Sequence, residues 1–93
     1  MPTVIIRHKV EDYTKWKRGY DDADWLRKKH GITYASIHHE VSNPKDIIAI
    51  HQFKDLKEAR EFANDVPALM KEIGVIGKPE IWFSEDDEHV TYS

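Results

Sequence analysis

The chain repeats one short pattern, and that repeat narrows the folds open to it more than any other feature. His8-Lys9-Val10-Glu11-Asp12-Tyr13 returns as His51-Gln52-Phe53-Lys54-Asp55-Leu56: a histidine, an apolar residue two later, an aspartate two beyond that, then the first apolar residue of a helical pattern. In each copy an apolar run stops, and an aspartate stands where its carboxylate can accept from the free N–H groups of a first helical turn. Two similar strand-into-helix halves are thus written into 93 residues. Neither half is long enough to bury a core alone, and a chain without cysteine has neither disulfide nor thiolate metal site to compensate. A single domain over residues 1–93 follows, with 85–93 an acidic tail.

Thr3 to Val10 reads as the first strand, with Val4, Ile6, His8 and Val10 on one face and Ile5, Arg7 and Lys9 on the other. Asp12 opens a helix in which Tyr13, Trp16, Tyr20, Ala23 and Leu26 recur at three- and four-residue steps as one apolar stripe. Lys15, Lys17, Arg18, Asp22, Arg27 and Lys28 make up its solvated remainder, and His30-Gly31 ends it. Gly19 inside this helix costs about 1 kcal/mol relative to alanine, which points to a close approach or a bend. Ile32 to Val41 reads as the second strand and Asp46 to Phe53 as the third, joined at a Ser42-Asn43-Pro44-Lys45 turn. Asp55 opens the second helix, with Glu58 completing a capping box. Pro67 should interrupt that helix and begin a separate short piece reaching Ile73. After a connecting turn over Val75 to Pro79, Glu80 to Ser84 is the last strand.

Strand, helix, strand, strand, helix, strand with right-handed crossovers is the ferredoxin-like βαββαβ arrangement: an α+β fold whose four-stranded antiparallel sheet carries both helices on one face. Both parities of these strands are apolar, Ile5, Ile48, Ile50 and Trp82 opposing Val4, Ile6, Ile47 and Phe83. A sheet greasy on both sides expects a cover over the face its helices leave bare, and a second copy of the chain is the expected partner. Seventeen acidic against fourteen basic residues, a net charge of −3, argue against a nucleic-acid protein. No run approaches the ~20 apolar residues of a membrane span, and the amino end lacks a secretory leader's basic and apolar regions, so a cytoplasmic location is expected.

His8-x-Val10-x-Asp12-Tyr13-x-x-Trp16, the Asn43-Pro44 hairpin, the strand ending in Phe53-x-Asp55-Leu56, then Ala59, Phe62, Met70, Gly74 and Pro79-Glu80-Ile81 together resemble the antibiotic-biosynthesis-monooxygenase-like superfamily of dimeric α/β barrels. The resemblance covers nearly the whole chain. It implies two ferredoxin-like subunits whose sheets pair into a barrel, each with a ligand cavity between sheet and helices. It also implies a choice among cofactor-free monooxygenases of quinols and anthrones, haem-degrading monooxygenases and members of unknown activity. The haem-degrading branch uses an asparagine in its first strand and a haem-ligating histidine in its second helix. Here strand one offers Arg7 and His8, and residues 55–73 contain no histidine, so no haem is expected.

Within such a cavity, His8 and His51 are the candidate bases, imidazoles on apolar strand faces that can accept a phenolic proton. Trp16, Tyr20 and Tyr13 would hold a flat ring. If Val41 pairs with Asp46, His38 lies opposite Ala49, and that small residue leaves a hollow between His38 and His8; a one-residue slip brings His39 instead. A metal site is not expected, since no two histidines stand four apart on a helix and the adjacent His38 and His39 point to opposite faces. Arg7 is expected to meet an acid across the dimer. No nucleophile elbow, phosphate loop or dinucleotide fingerprint appears, which leaves cofactor-free chemistry or none. The leading expectation is a homodimeric cofactor-independent monooxygenase acting on a small aromatic or polyketide-like ligand. Its rivals are a ligand-binding or stress-response module and a polyketide cyclase using the same acid and base.

Overall fold

A computed structural model describes residues 1–93. It contains β1 (Pro2–Val10), α1 (Tyr13–Asp22), α2 (Asp24–Lys29), β2 (Ile32–Glu40), β3 (Asn43–Phe53), α3 (Leu56–Glu72) and β4 (Val75–Glu85). All pairings are antiparallel in the order β2-β3-β1-β4, the topology that the repeated halves require. Val4, Ile6, Val10, Ile47, Ala49 and Phe53 point to the helix side, where Trp16, Leu26, Ala59, Phe62, Val66 and Met70 bury against them. Both aspartates cap as expected: Asp12 accepts from the N–H groups of Thr14 and Lys15, and Asp55 from that of Glu58. The Glu58 carboxylate turns away to His30, so only half of the capping box forms.

Four local expectations are not met. The first helix divides at Ala23, because the Tyr20 carbonyl accepts from Ala23 N–H and from the Arg27 guanidinium at 2.7 Å instead of continuing the regular ladder. The second helix does not divide at Pro67: it runs unbroken from Leu56 to Glu72, with Pro67 on the exposed side and Val66 and Met70 buried on either side of it. There the burial outweighs the single ladder bond that proline removes. The hairpin turns at Val41-Ser42, not at Ser42 to Lys45, because Glu40 accepts from both the N–H and the hydroxyl of Ser42 and lets Glu40 pair with Asn43. The last strand begins at Val75, five residues before the expected Glu80.

Gly19 is the close approach that its cost implied. A Cβ there would stand 2.8 Å from Ile73 Cβ, so α1 and the end of α3 touch through glycine backbone. On the open face, Ile5, Ile48 and Ile50 are half-buried, and Trp82 and Tyr34 are exposed. Arg7 does not await an acid from another copy. It already grips Asp46 of its own chain through Nε at 3.1 Å and a terminal nitrogen at 2.8 Å, which holds that carboxyl below the usual range. The tail beyond Glu85 has no regular structure, and no helix is long and apolar enough to cross a membrane.

Candidate active site

The strand parity that builds the core also carries two histidines into it. His8 lies opposite Ile47 and His51 opposite Val4, with the pair Ile6 and Ala49 between them on the same face. Both rings are buried and line one apolar cavity with Ile6, Ala49, Phe62, Val66 and Met70 from the sheet and α3. Trp16 and Tyr20 from α1 and Arg27 from α2 complete the wall. The cavity is about 20 Å³, room for about one water. The ligand-sized hollow expected beneath the helices is therefore largely filled by side chains.

The two histidines differ in what they touch. His51 Nε2 meets the Tyr20 hydroxyl at 2.8 Å; with the phenol donating, the imidazole hydrogen sits on Nδ1. Burial, helped by the Arg27 charge, pushes His51 down to about 4, so the ring is neutral at physiological pH. Neither nitrogen of His8 has a hydrogen-bond partner, although the residue is only 6% exposed. Its ring lies 5.4 Å from that of Trp16, and burial pushes it too down to about 4, against a small opposing pull from Asp46. A buried imidazole with two unsatisfied nitrogens is costly.

Of the residues singled out from the sequence, His8, His51, Trp16, Tyr20 and Ala49 converge on this cavity. His38 does not: a register shift between His39 and Glu40 sets Ile37 opposite Ala49 and turns His38 to the open face opposite Ile48, where it pairs with the Ser36 hydroxyl at 2.9 Å. His39 shares the inner parity but is exposed at the strand end, donating to the Glu40 carbonyl. Tyr13, at the first turn of α1, is exposed and touches Trp16 from outside the cavity.

Arg27 was missed. Read as solvated, it is 5% exposed, with its guanidinium carbon 3.7 Å above the centre of the Tyr20 ring. The signal was its spacing, since Tyr13, Tyr20 and Arg27 stand seven apart on one stripe. His30, read as a helix terminus, is buried and joins α2 to α3. It donates from Nδ1 to Glu58 and from Nε2 to Asp65, each at 2.9 Å. With Glu58 and Glu61 it brings side-chain N and O atoms within 4.8 Å of one another. Burial works against its charge, but the two carboxylates outweigh it and raise His30 above its ordinary value.

No protein-family model matches the chain, and no curated protein matches it in sequence. Its fold has close counterparts among solved structures of antibiotic-biosynthesis-monooxygenase-like proteins. SnoaB, a cofactor-independent oxygenase from Streptomyces nogalater, superposes with a TM-score of 0.75 at 10% identity, covering 98% of this chain and 97% of that one. The ActVA-Orf6 monooxygenase of Streptomyces coelicolor, solved with Nanaomycin D, gives 0.69 at 16% identity over 99% and 92%. NE2512 from Nitrosomonas europaea, of unknown function, gives 0.71 at 13% over 99% and 94%. The chain thus shares a ferredoxin-like α+β fold with these proteins, and at such identities the likeness extends to fold alone.

Proposed function

We propose that this chain is a homodimeric, cofactor-independent oxygenase of a small aromatic or polyketide-like substrate, with His8 as its base. The observation that carries the reading is the unbonded His8 imidazole in an apolar wall, neutral at physiological pH and therefore in the form that accepts a proton. The substrate's phenolic proton passes to His8, and the resulting anion supplies electrons to dioxygen. For a substrate with a reactive methylene, one oxygen atom ends as a ring carbonyl and the other, with the two methylene hydrogens, as water. The imidazolium beside the anion offsets the desolvation that keeps His8 weakly basic in the free protein. Trp16 and Tyr20 supply ring faces, and His51 with Arg27 fixes the orientation of Tyr20. The structural likeness to SnoaB, a cofactor-independent oxygenase, and to the ActVA-Orf6 monooxygenase supports this reading.

The sheet's open face supports the dimer. Ile5, Ile48, Ile50 and Trp82, the last 48% exposed, form an apolar centre, with the Arg7–Asp46 pair at one margin. A second copy laid on this face would close it. Oxygen uptake with a panel of quinols and anthrones tests the chemistry: uptake by the wild type, lost in His8→Gln, is the expected result. Turnover without oxygen consumption would replace it with a cyclase working through Tyr20 and His51. Ligand binding with no turnover would leave a binding module. Sedimentation should show a dimer that Trp82→Asp dissociates.

A further inference from the structure

Three rungs hold α1 and α2 against α3. At one end Gly19 meets Ile73 through bare backbone, and at the other His30 bonds Asp65 at 2.9 Å. Positions rise along one side of this seam as they fall along the other, so the two sides run in opposite directions. Leu26 stands four residues before His30 and Leu69 four after Asp65, which sets the two leucines across from each other one helical turn from that bond. Both line two spaces: the small cavity beneath the helices, and a surface groove of about 360 Å³ outside them. They are the only residues common to the two. The groove is walled further by Trp25 and Lys29 of α2 and by Asp65, Ala68 and Glu72 of α3. Trp25 is 62% exposed, a flat apolar ring left to solvent at the groove's lip.

We propose that Leu26 and Leu69 are a side-chain gate, and that the groove is the outer half of the binding site. A flat aromatic ligand rests there on Trp25, and its reacting end passes between the leucines into the cavity that His8 lines. The end rungs cannot serve as the way in, since one is a backbone contact with no side chain to move and the other is held by hydrogen bonds. The middle rung is two leucines, which exchange rotamers without breaking a hydrogen bond. Size separates the two spaces. The cavity holds about one water, whereas the groove, at about 360 Å³, falls within the roughly 300–1,000 Å³ of small-molecule sites. Its chemistry suits a phenol: Trp25 offers a ring face, Glu72 an acceptor for the hydroxyl hydrogen and Lys29 a cation for the oxygen once that hydrogen has left. The ligand class rests on reading the chain as an oxygenase of aromatic substrates; the gate does not.

The chain has three tryptophans, so Trp25→Phe with Trp82→Phe leaves Trp16, 1% exposed and lining the cavity, as the sole indole reporter. Acrylamide quenching of its fluorescence then reads access from solvent. Leu69→Ala in this background should raise the quenching constant about fivefold, because it removes half of the partition. Ile73→Ala, one turn along α3, shortens a side chain that lines the cavity but not the groove, and should change the constant by less than about twofold. Equal quenching in the two variants would overturn the gate. A second measurement leaves the core untouched: calorimetric titration with 1-naphthol should show binding to the wild type, weakened about fivefold in Trp25→Ala. No binding, or binding indifferent to Trp25→Ala, would overturn the groove as part of the site. If both measurements come out as expected while His8→Gln keeps full oxygen uptake, gate and groove stand and the base reading falls. If His8→Gln abolishes uptake while Leu69→Ala and Ile73→Ala quench alike, the base stands and the gate falls.

Discussion

His8 and His30 are buried to nearly the same degree, 6% and 4% exposed, yet their surroundings give them opposite properties. His30, at the seam of α2 and α3, has a carboxylate on each nitrogen and is raised above its ordinary pKa. His8, under α1, has no partner on either nitrogen and is pushed down to about 4. The first ties two helices through a carboxylate on each nitrogen. The second is a neutral group in an unsatisfied state, poised to bond something that is not protein. Burial depth therefore says little about a histidine's work, and the bonding of its two nitrogens says most of it.

The sharpest way to break this contrast is to replace each ring by leucine. His30→Leu removes the bonds to Glu58 and Asp65, carboxylates that water still reaches, and is expected to lower stability by about 1–2 kcal/mol, read from the denaturant midpoint at constant slope. His8→Leu removes no bond and is expected to hold or raise stability; a loss matching that of His30→Leu would erase the difference between the sites.

The pH dependence sharpens it with opposite signs. His30 has a raised folded pKa, so its contribution is complete below its unfolded value of about 6.5 and fades as pH rises through the folded one. His8 and His51 have depressed values, so the unfolded chain binds more protons between about 4 and 6.5, and stability falls as pH drops through that window. Urea midpoints taken from pH 4 to 9 should lose their acid limb in a His8→Leu, His51→Leu double variant and their alkaline limb in His30→Leu. Retention of both limbs in both variants would refute these assignments.

Smaller is Tyr20→Phe, which removes the only side-chain bond of His51 and makes it resemble His8. A cost of about 1 kcal/mol is expected, with a measurable change in the His51 imidazole nitrogen shifts by NMR. Smallest is Lys17→Ala at the exposed helical pair with Asp21, where no more than about 0.5 kcal/mol should appear in the midpoint. A larger loss there would mean that exposed ion pairs rival the buried His30 tie.

The architecture was legible because it depends on local signals that recur. Two Asp caps, two apolar strands leading into them and a proline-bearing hairpin leave few topologies, and Gly19 announced the contact with Ile73 by its cost to the helix. The inner face of β1 was equally plain from its alternation. What failed was set by strand register. A bulge between His39 and Glu40 sent His38 to the open face, and a period-two strand transmits such a shift to every side chain beyond it.

From its own order the chain determined the strand and helix sequence, the two greasy faces of its sheet, and the presence of His8 and His51 under the helices. Those follow from hydrophobic period and capping, which act over a few residues. Only the folded molecule decided that Arg27 and His30 are buried, that neither nitrogen of His8 is bonded while one of His51 is, and that β4 bulges opposite His8. Each of these depends on which distant groups meet and how tightly. A residue's own type and neighbours do not carry that information, because the partner that satisfies or strands it arrives from elsewhere in the chain.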